Sequence, residues 1–397
     1  MLAFVSLAAL SVLIPALAAP TSVPISKHAG PVKANSYLIK LKDGVSKNAH
    51  LNSIISKFVA GSSLEYKYGD VFHGYAVKLK GKDLDFVRQS KDIEFIEEDG
   101  IVTIDYERGD ASAVVERSEA PVVEKLNKRA NGEGVDVYGV DTGIYTAHNS
   151  FGRRASWGAT YGGYANADGN GHGTRQLFST LVFEILLTNM TIDTAATAVG
   201  NTYGVATSAK VIAVKVLSDG GSGAYSDIIA GVNWVVSSAK ASGRPSIATL
   251  SLGGSANSAL DNAIVSATNS GVHFTIAAGN SNVDAANTSP ARVAAANTIG
   301  AVDSSNRKAS FSNYGAVVDV WALGVNVLSA WIGSPSATNT ISGTSMATPF
   351  VAGVLALAIG DYGNKTPAQL SADLKSHAQA VVTGAPSGTT NLLAKRW

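Results

Sequence analysis

The chain has 397 residues, 46% of them hydrophobic, which is enough to fill more than one domain core. Only 15% are charged and the formal net charge is +1, so the balance gives no argument for a nucleic acid or a charged membrane as partner. Cysteine is absent, which excludes disulfides, a thiolate nucleophile and any Cys-ligated metal centre.

Residues 1–19 read as a secretory signal peptide. An apolar run from Leu2 to Leu17 ends in Ala16-Leu17-Ala18, a small-x-small cleavage pattern. A membrane anchor is the alternative, but the run is short for a span and Pro15 interrupts it. No other stretch reads as apolar enough to cross a bilayer. The expected location is therefore extracellular, with a vacuole as the alternative. Asn189-Met190-Thr191, Asn287-Thr288-Ser289 and Asn364-Lys365-Thr366 fit the N-glycosylation acceptor pattern of a secreted chain.

Residues 35–104 are rich in Lys, Asp and Glu and poor in Gly. Ser36–Leu41 alternates as a strand, and 48–59 has helical spacing through Leu51, Ile54, Ile55 and Phe58. Phe72–Leu79 is strand-like, Asp83–Ser90 helical and Ile93–Ile104 extended, which suggests a βαββαβ order and a small split-βαβ, ferredoxin-like domain. Residues 105–130 form a charged, irregular linker suited to proteolytic nicking. A maturation cut is expected near Arg108–Glu119, with the dibasic pair Lys128-Arg129 as a weaker candidate.

From residue 131 to 397 the pattern is α/β. Val135–Val140, Val211–Leu217, Ile247–Leu252, Val272–Ala277 and Val317–Ala322 are short apolar runs, as expected of parallel strands covered on both faces. Helical stretches lie between them: Ser226–Ala241, with Ile228, Ile229, Val232, Val235 and Val236 on one side, and Ala259–Ser270, stopped by Gly271. The simplest architecture is one three-layer, doubly wound, mostly parallel α/β domain.

Three glycine-flanked runs carry candidate chemistry: Val140-Asp141-Thr142-Gly143, Gly171-His172-Gly173-Thr174 and Gly343-Thr344-Ser345-Met346-Ala347. A serine hydroxyl needs a base to act as a nucleophile at neutral pH, and a histidine oriented by a carboxylate supplies one. Ser345 precedes a helical apolar run, Ala347–Ile359, with Pro349 in its first turn. That places the hydroxyl at a helix N-terminus, where developing negative charge is stabilised. The chain order Asp…His…Ser is that of subtilisin. Through these runs the chain resembles the subtilases, and among them the proteinase K-like branch found in fungi.

The resemblance implies a serine endopeptidase with Asp141, His172 and Ser345 as its triad, and Asn280 of Ala277-Ala278-Gly279-Asn280 as a side-chain donor to the oxyanion. It implies that Gly221-Ser222-Gly223 and Ser251-Leu252-Gly253-Gly254 hold protein and peptide substrates by their backbones, with Ala278 and Gly279 beside them. Broad specificity leaning to apolar side chains follows. Residues 35–104 would be a propeptide acting as intramolecular inhibitor and folding aid. A structural Ca²⁺ would take Asp319 and the carbonyls of Ala294 and Ala296. No organic cofactor is expected, and the enzyme should be a monomer without nucleic-acid or membrane partners.

The chain leaves the family pattern just after Thr174. Relatives continue with His-Val-Ala-Gly-Thr; here Arg175-Gln176-Leu177-Phe178 begins an atypical insertion over 175–194, and the resemblance resumes at Ala195. A retained in-frame intron explains this better than an evolved loop. Alternatives to an active protease are a catalytically impaired subtilase acting as a binding protein and a mis-spliced gene model of an active one. An esterase or lipase is disfavoured, because Gly343-Thr344-Ser345-Met346-Ala347 is not a Gly-x-Ser-x-Gly elbow.

Overall fold

The structure is a computed structural model that describes residues 22–104, 107–108, 131–181, 206 and 208–397, with 107–108 and 178–181 described by their backbone alone. The signal segment, most of the 105–130 linker and most of the 175–194 segment lie outside the described residues.

The N-terminal unit has the expected βαββαβ order. Strand Val32–Leu41 leads to helix α1 (Lys47–Ile55), strands Ser63–Lys67 and Gly74–Lys78, helix α2 (Lys82–Arg88) and strand Ile93–Thr103. In the sheet, Val32–Leu41 lies between Ile93–Thr103 and Gly74–Lys78, with Ser63–Lys67 at the far edge. Ile39, Leu51, Ile54, Tyr75, Val77, Val87 and Ile96 form its own buried core. Strand Ser63–Lys67 was not singled out from the sequence. Three of its five residues are polar or charged and it is paired on one side only. Helix α1 also stops at Ile55, short of the expected residue 59.

The second unit is built on a nine-stranded sheet. Seven of its strands run in the order Val320–Leu323, Asn297–Val302, His273–Ala277, Ser246–Leu250, Asp136–Asp141, Lys210–Lys215 and Ala155–Thr160, the last at one edge, all parallel. Consecutive strand residues feed opposite cores. Val137, Val211 and Ile247 pack with helices α3 (His172–Leu181) and α6 (Thr344–Tyr362), whereas Tyr138, Val214 and Ala248 pack with α4 (Tyr225–Ser242) and α5 (Ser258–Asn269). Covering on both faces is why these strands read as continuous apolar runs. Helix α5 ends at Asn269 with Ser270 as its C-cap, and Gly271 follows in the left-handed region at φ +94°.

Helix α6 corrects two expectations. It is long and apolar enough to span a bilayer by length and composition, yet 83% of that stretch is buried inside the protein, so it is the core helix between α3 and the sheet. It also starts at Thr344, which puts Pro349 inside the helix rather than in its first turn.

Candidate active site

The strand Asp136–Asp141 ends in Asp141 at the carboxyl edge of the parallel sheet, where such folds place their ligands. Helices α3 and α6 pack against each other, and His172 and Ser345 are the first and second residues of the two. His172 Nδ1 lies 2.8 Å from Asp141 Oδ1 and 3.0 Å from Oδ2, and both side chains are fully buried. Asp141 Oδ1 also accepts the Thr142 N–H at 2.7 Å. An imidazole held on one nitrogen by a carboxylate has its tautomer fixed, which leaves Nε2 to exchange a proton.

Ser345 is tied to the neighbouring strand from both ends. Its hydroxyl donates to the carbonyl of Ser251 at 3.3 Å, and the Ser251 hydroxyl donates to the carbonyl of Ser345 at 3.1 Å. The second bond answers a sequence feature directly. Pro349 has no N–H to offer the carbonyl four residues before it, so Ser345 O takes a side-chain donor instead.

Asn280 lies at the loop after strand His273–Ala277. Its amide oxygen accepts the Thr344 N–H at 2.8 Å and the Thr344 hydroxyl at 2.9 Å, which fixes the orientation of the amide. A side chain added at Gly343 would lie 3.4 Å from Asn280 Nδ2 and 3.6 Å from the Ser345 backbone nitrogen. Two N–H groups thus border one position next to Ser345, with Met346 Sδ 3.5 Å from it. A developing oxyanion there could be stabilised by both.

The two glycine runs flank the last strand of the N-terminal unit. Ser222, Gly223 and Ala224 pair antiparallel with Thr103, Val102 and Ile101, and Ile104 N donates to Gly221 O at 2.9 Å. A Cβ at Gly221 would meet the Ile104 side chain at 2.7 Å, so the close approach requires glycine. On the other side Gly254 faces Val102, and Ser251, Leu252 and Gly253 lead into it from the strand Ser246–Leu250. Farther along, Glu107–Arg108 pairs antiparallel with Ser342 and Ile341, directly before Gly343.

The same N-terminal strand reaches the helices with its side chains. Glu97 accepts the Ser258 and Ala259 N–H groups at the start of α5 at 3.1 and 3.0 Å, and Asp99 accepts the Ser226 N–H at the start of α4 at 2.9 Å. Residues two apart on a strand share a face, so one strand caps two helices with carboxylates.

The sequence pattern of the subtilase family matches residues 132–393, which carry Asp141, His172, Asn280 and Ser345, and the pattern of peptidase inhibitor I9 matches residues 36–105. The chain belongs to the subtilase family. It is 47% identical over 264 residues to Subtilisin-like protease 2 of Pseudogymnoascus destructans, a match spanning 66% of this chain and 61% of that protein. It is 37% identical over 406 residues to the cuticle-degrading protease of Metarhizium anisopliae, covering 98% of each. Among solved structures, that of a cold adapted subtilisin-like serine proteinase is similar with a TM-score of 0.59 and 40% identity, covering 70% of this chain and 95% of the other.

Three residues of this subtilase organise the site without having been singled out from the sequence. Thr344 orients Asn280, and its hydroxyl also accepts the Gly279 N–H at 3.2 Å. Asn313 holds the loop after Ala277: its Nδ2 donates to Ala278 O at 2.8 Å and its Oδ1 accepts the Ser281 and Val283 N–H groups at 3.1 Å each. Gly279 sits at φ +104° with Asn313 Nδ2 2.4 Å from where its Cβ would be, so no side chain fits there. Asp168 is the third, and its bonds are given below.

The beginning of the atypical segment is built into the core. The Arg175 guanidinium donates to the carbonyls of Val327 and Ile341, and Gln176 Nε2 donates to Thr249 O and to the Ser251 hydroxyl at 3.1 and 3.0 Å. Leu177 packs onto Gly139, in the strand that ends in Asp141.

Of the residues expected to hold calcium, Asp319 is paired within the protein. Asp319 Oδ2 accepts the Thr298 N–H at 2.9 Å and Oδ1 takes the Lys375 ammonium at 3.0 Å, so a fixed cation already neutralises the only acid of the set. Burial, opposed by these two partners, pushes the Asp319 carboxyl above its usual range. Ala294 and Ala296 lie just before the strand Asn297–Val302 and offer carbonyls, and a calcium held there would complete its six to eight oxygens with water. Among the described residues no group of three or more His, Asp or Glu side chains could hold a metal.

Proposed function

We propose that this subtilase is a secreted serine endopeptidase made as a self-inhibited precursor. The observation that carries the proposal is the buried His172–Asp141 pair at the start of α3, with Ser345 at the start of the helix packed against α3. In the proposed reaction His172 Nε2 takes the proton of Ser345 as Oγ attacks the scissile carbonyl, and returns it to the leaving amine. Asp141 stabilises the imidazolium, and Asn280 Nδ2 with the Ser345 N–H receives the oxyanion. Hydrolysis of a chromogenic peptide with an apolar residue before the cut, lost in Ser345→Ala, tests the reading. A peptide-inert but ester-active protein would overturn it.

Substrate would lie as an added strand between Gly221–Gly223 and Gly254, the position taken by residues 101–104. Backbone pairing of this kind supports broad specificity and inhibition by the propeptide. It also moves the expected maturation cut. Ile104 is bonded to Gly221 and Glu107 is paired with Ser342, three residues before Ser345, so the scissile bond is proposed to fall between these two anchored points. The cut belongs to the three bonds from Ile104 to Glu107, upstream of the Arg108–Glu119 stretch favoured from the sequence.

A second reading, a catalytically impaired binding protein, rests on the 175–194 segment. It starts three residues after His172, and a misplacement of about 1 Å can cost roughly a hundredfold in rate. Sequencing the spliced transcript decides between an encoded segment and a retained intron.

A further inference from the structure

Asp168 makes a connection that the proposed reaction does not use. It lies in the turn before α3 and is 8% exposed. Its Oδ1 accepts the Thr142 hydroxyl at 2.9 Å and the N–H groups of Asn170 and Gly171 at 3.1 and 2.9 Å. Its Oδ2 accepts the Thr174 N–H at 2.9 Å and the Thr174 hydroxyl at 2.6 Å. Each threonine hydroxyl passes the connection on. Thr142 Oγ1 accepts the Gly173 N–H at 2.9 Å, and Thr174 Oγ1 accepts the Tyr145 N–H at 2.7 Å.

The bonded residues are the immediate neighbours of the pair. Thr142 follows Asp141, and Gly171, Gly173 and Thr174 surround His172. Both threonine hydroxyls donate to the carboxylate and accept a backbone N–H, so neither can reverse direction while Asp168 is ionised. Charge-assisted acceptance at five donors makes this a stiff junction between the end of the Asp136–Asp141 strand and the start of α3. A hydrogen bond between two groups on different elements is only as well aligned as the frame that joins those elements.

We propose that Asp168 is a positioning residue: acting through Thr142 and Thr174, it sets the alignment of the Asp141 carboxylate with the His172 imidazole. It touches neither substrate nor the reacting atoms. The inference rests on the triad reading above, and its test keeps the two apart.

The full-length chain carrying Ser345→Ala has no turnover to measure, so its Asp141–His172 pair can be followed by proton NMR as the low-field Nδ1–H resonance. Asp168→Asn places an amide NH₂ against either the Thr174 or the Thr142 side, where donors already point. It should move or broaden that resonance. In the chain with Ser345 intact, normalised by active-site titration, the same change should lower kcat about 10- to 100-fold with KM altered less than twofold. Thr174→Val should lose kcat in the same way and Thr174→Ser should retain it, which covers the case in which Asp168→Asn fails to fold. A normal resonance and normal kcat in folded Asp168→Asn overturn the proposal. So does a fall in melting temperature with the resonance unmoved, which would leave Asp168 a structural role only. Absence of the resonance from the Ser345→Ala parent would instead remove the Asp141–His172 reading on which the proposal stands.

Discussion

The carboxylate of Asp99, in the last strand of the inhibitor-like unit, accepts the backbone N–H of Ser226 in the first turn of α4 at 2.9 Å. The bond crosses between the two units, and a second buried acid lies beside it. Asp227 accepts the Tyr66 hydroxyl at 2.7 Å, Lys33 faces both acids, and Glu65 faces Asp227. Burial pushes the carboxyls of Asp99 and Asp227 above their usual range, opposed by the bonds from Ser226, Ser36 and Tyr66 and by the charge of Lys33.

A raised carboxyl pKa in the complex means that association takes up protons. The contribution is complete below the carboxyl's free value and is lost as pH rises through the raised one. Affinity of the inhibitor unit for the catalytic unit is therefore expected to fall as pH rises from the ordinary carboxylate value of about 4 upward. Each unit by which binding raises a pKa is worth about tenfold. Binding of residues 22–104 to catalytic unit carrying Ser345→Ala, measured by calorimetry across this range, checks it. Asp227→Asn should flatten the profile; affinity that is constant or grows with pH would sink the idea.

Ser345→Ala and His172→Ala should each abolish turnover, and combining them should cost little more, because the two act as one unit. Asn280→Leu should keep KM and lower kcat by roughly a hundred- to a thousandfold, a magnitude taken over from a subtilisin. Single-turnover kinetics on a peptide amide distinguish this from a binding defect. A rise in KM at constant kcat would mean that Asn280 holds substrate rather than the oxyanion.

Maturation should release a new N-terminus at residue 105, 106 or 107. Edman sequencing of the processed protein reads it directly. A start anywhere between 109 and 120 would show that the passage from Ile104 to Glu107 does not bring the scissile bond to Ser345.

Chelator should leave the melting temperature unchanged, because Lys375 already supplies the positive charge facing Asp319. Lys375→Ala removes that charge and leaves a buried carboxylate with a backbone partner at Thr298. A melting temperature that rises with added calcium is expected in the variant alone. A loss of stability on chelation of the parent chain would restore calcium to the Asp319 site.

Asp141 and His172 were legible because each stands in a short run whose flanking glycines, Gly143, Gly171 and Gly173, are demanded locally. Helices α4 and α5 announced themselves by apolar spacing. The strand Asn297–Val302 did not, although it is central: Gly300 interrupts its apolar run because the Trp321 ring occupies the place of a side chain, 2.3 Å from where its Cβ would be. Ala155–Thr160 is an edge strand, partly exposed and built of small and polar residues apart from Trp157, so neither alternation nor a buried run marks it. Asp168, Asn313 and Thr344 were hidden for another reason. Their work is done by side chains that bond backbone groups of segments up to 65 residues away, a relation with no period and no motif.

The antiparallel contact of residues 101–104 with Gly221–Ala224 has a kinetic consequence. Severing the chain once does not vacate the cleft, since the severed end stays paired where a substrate would lie. An emptied cleft arises when a molecule already freed digests the plug of another. Activation of a pure precursor population should thus begin slowly and accelerate, with a delay that shortens as protein concentration rises or as a trace of mature enzyme is added. The delay would act as a timer, holding the protease inactive while it is dilute and newly made.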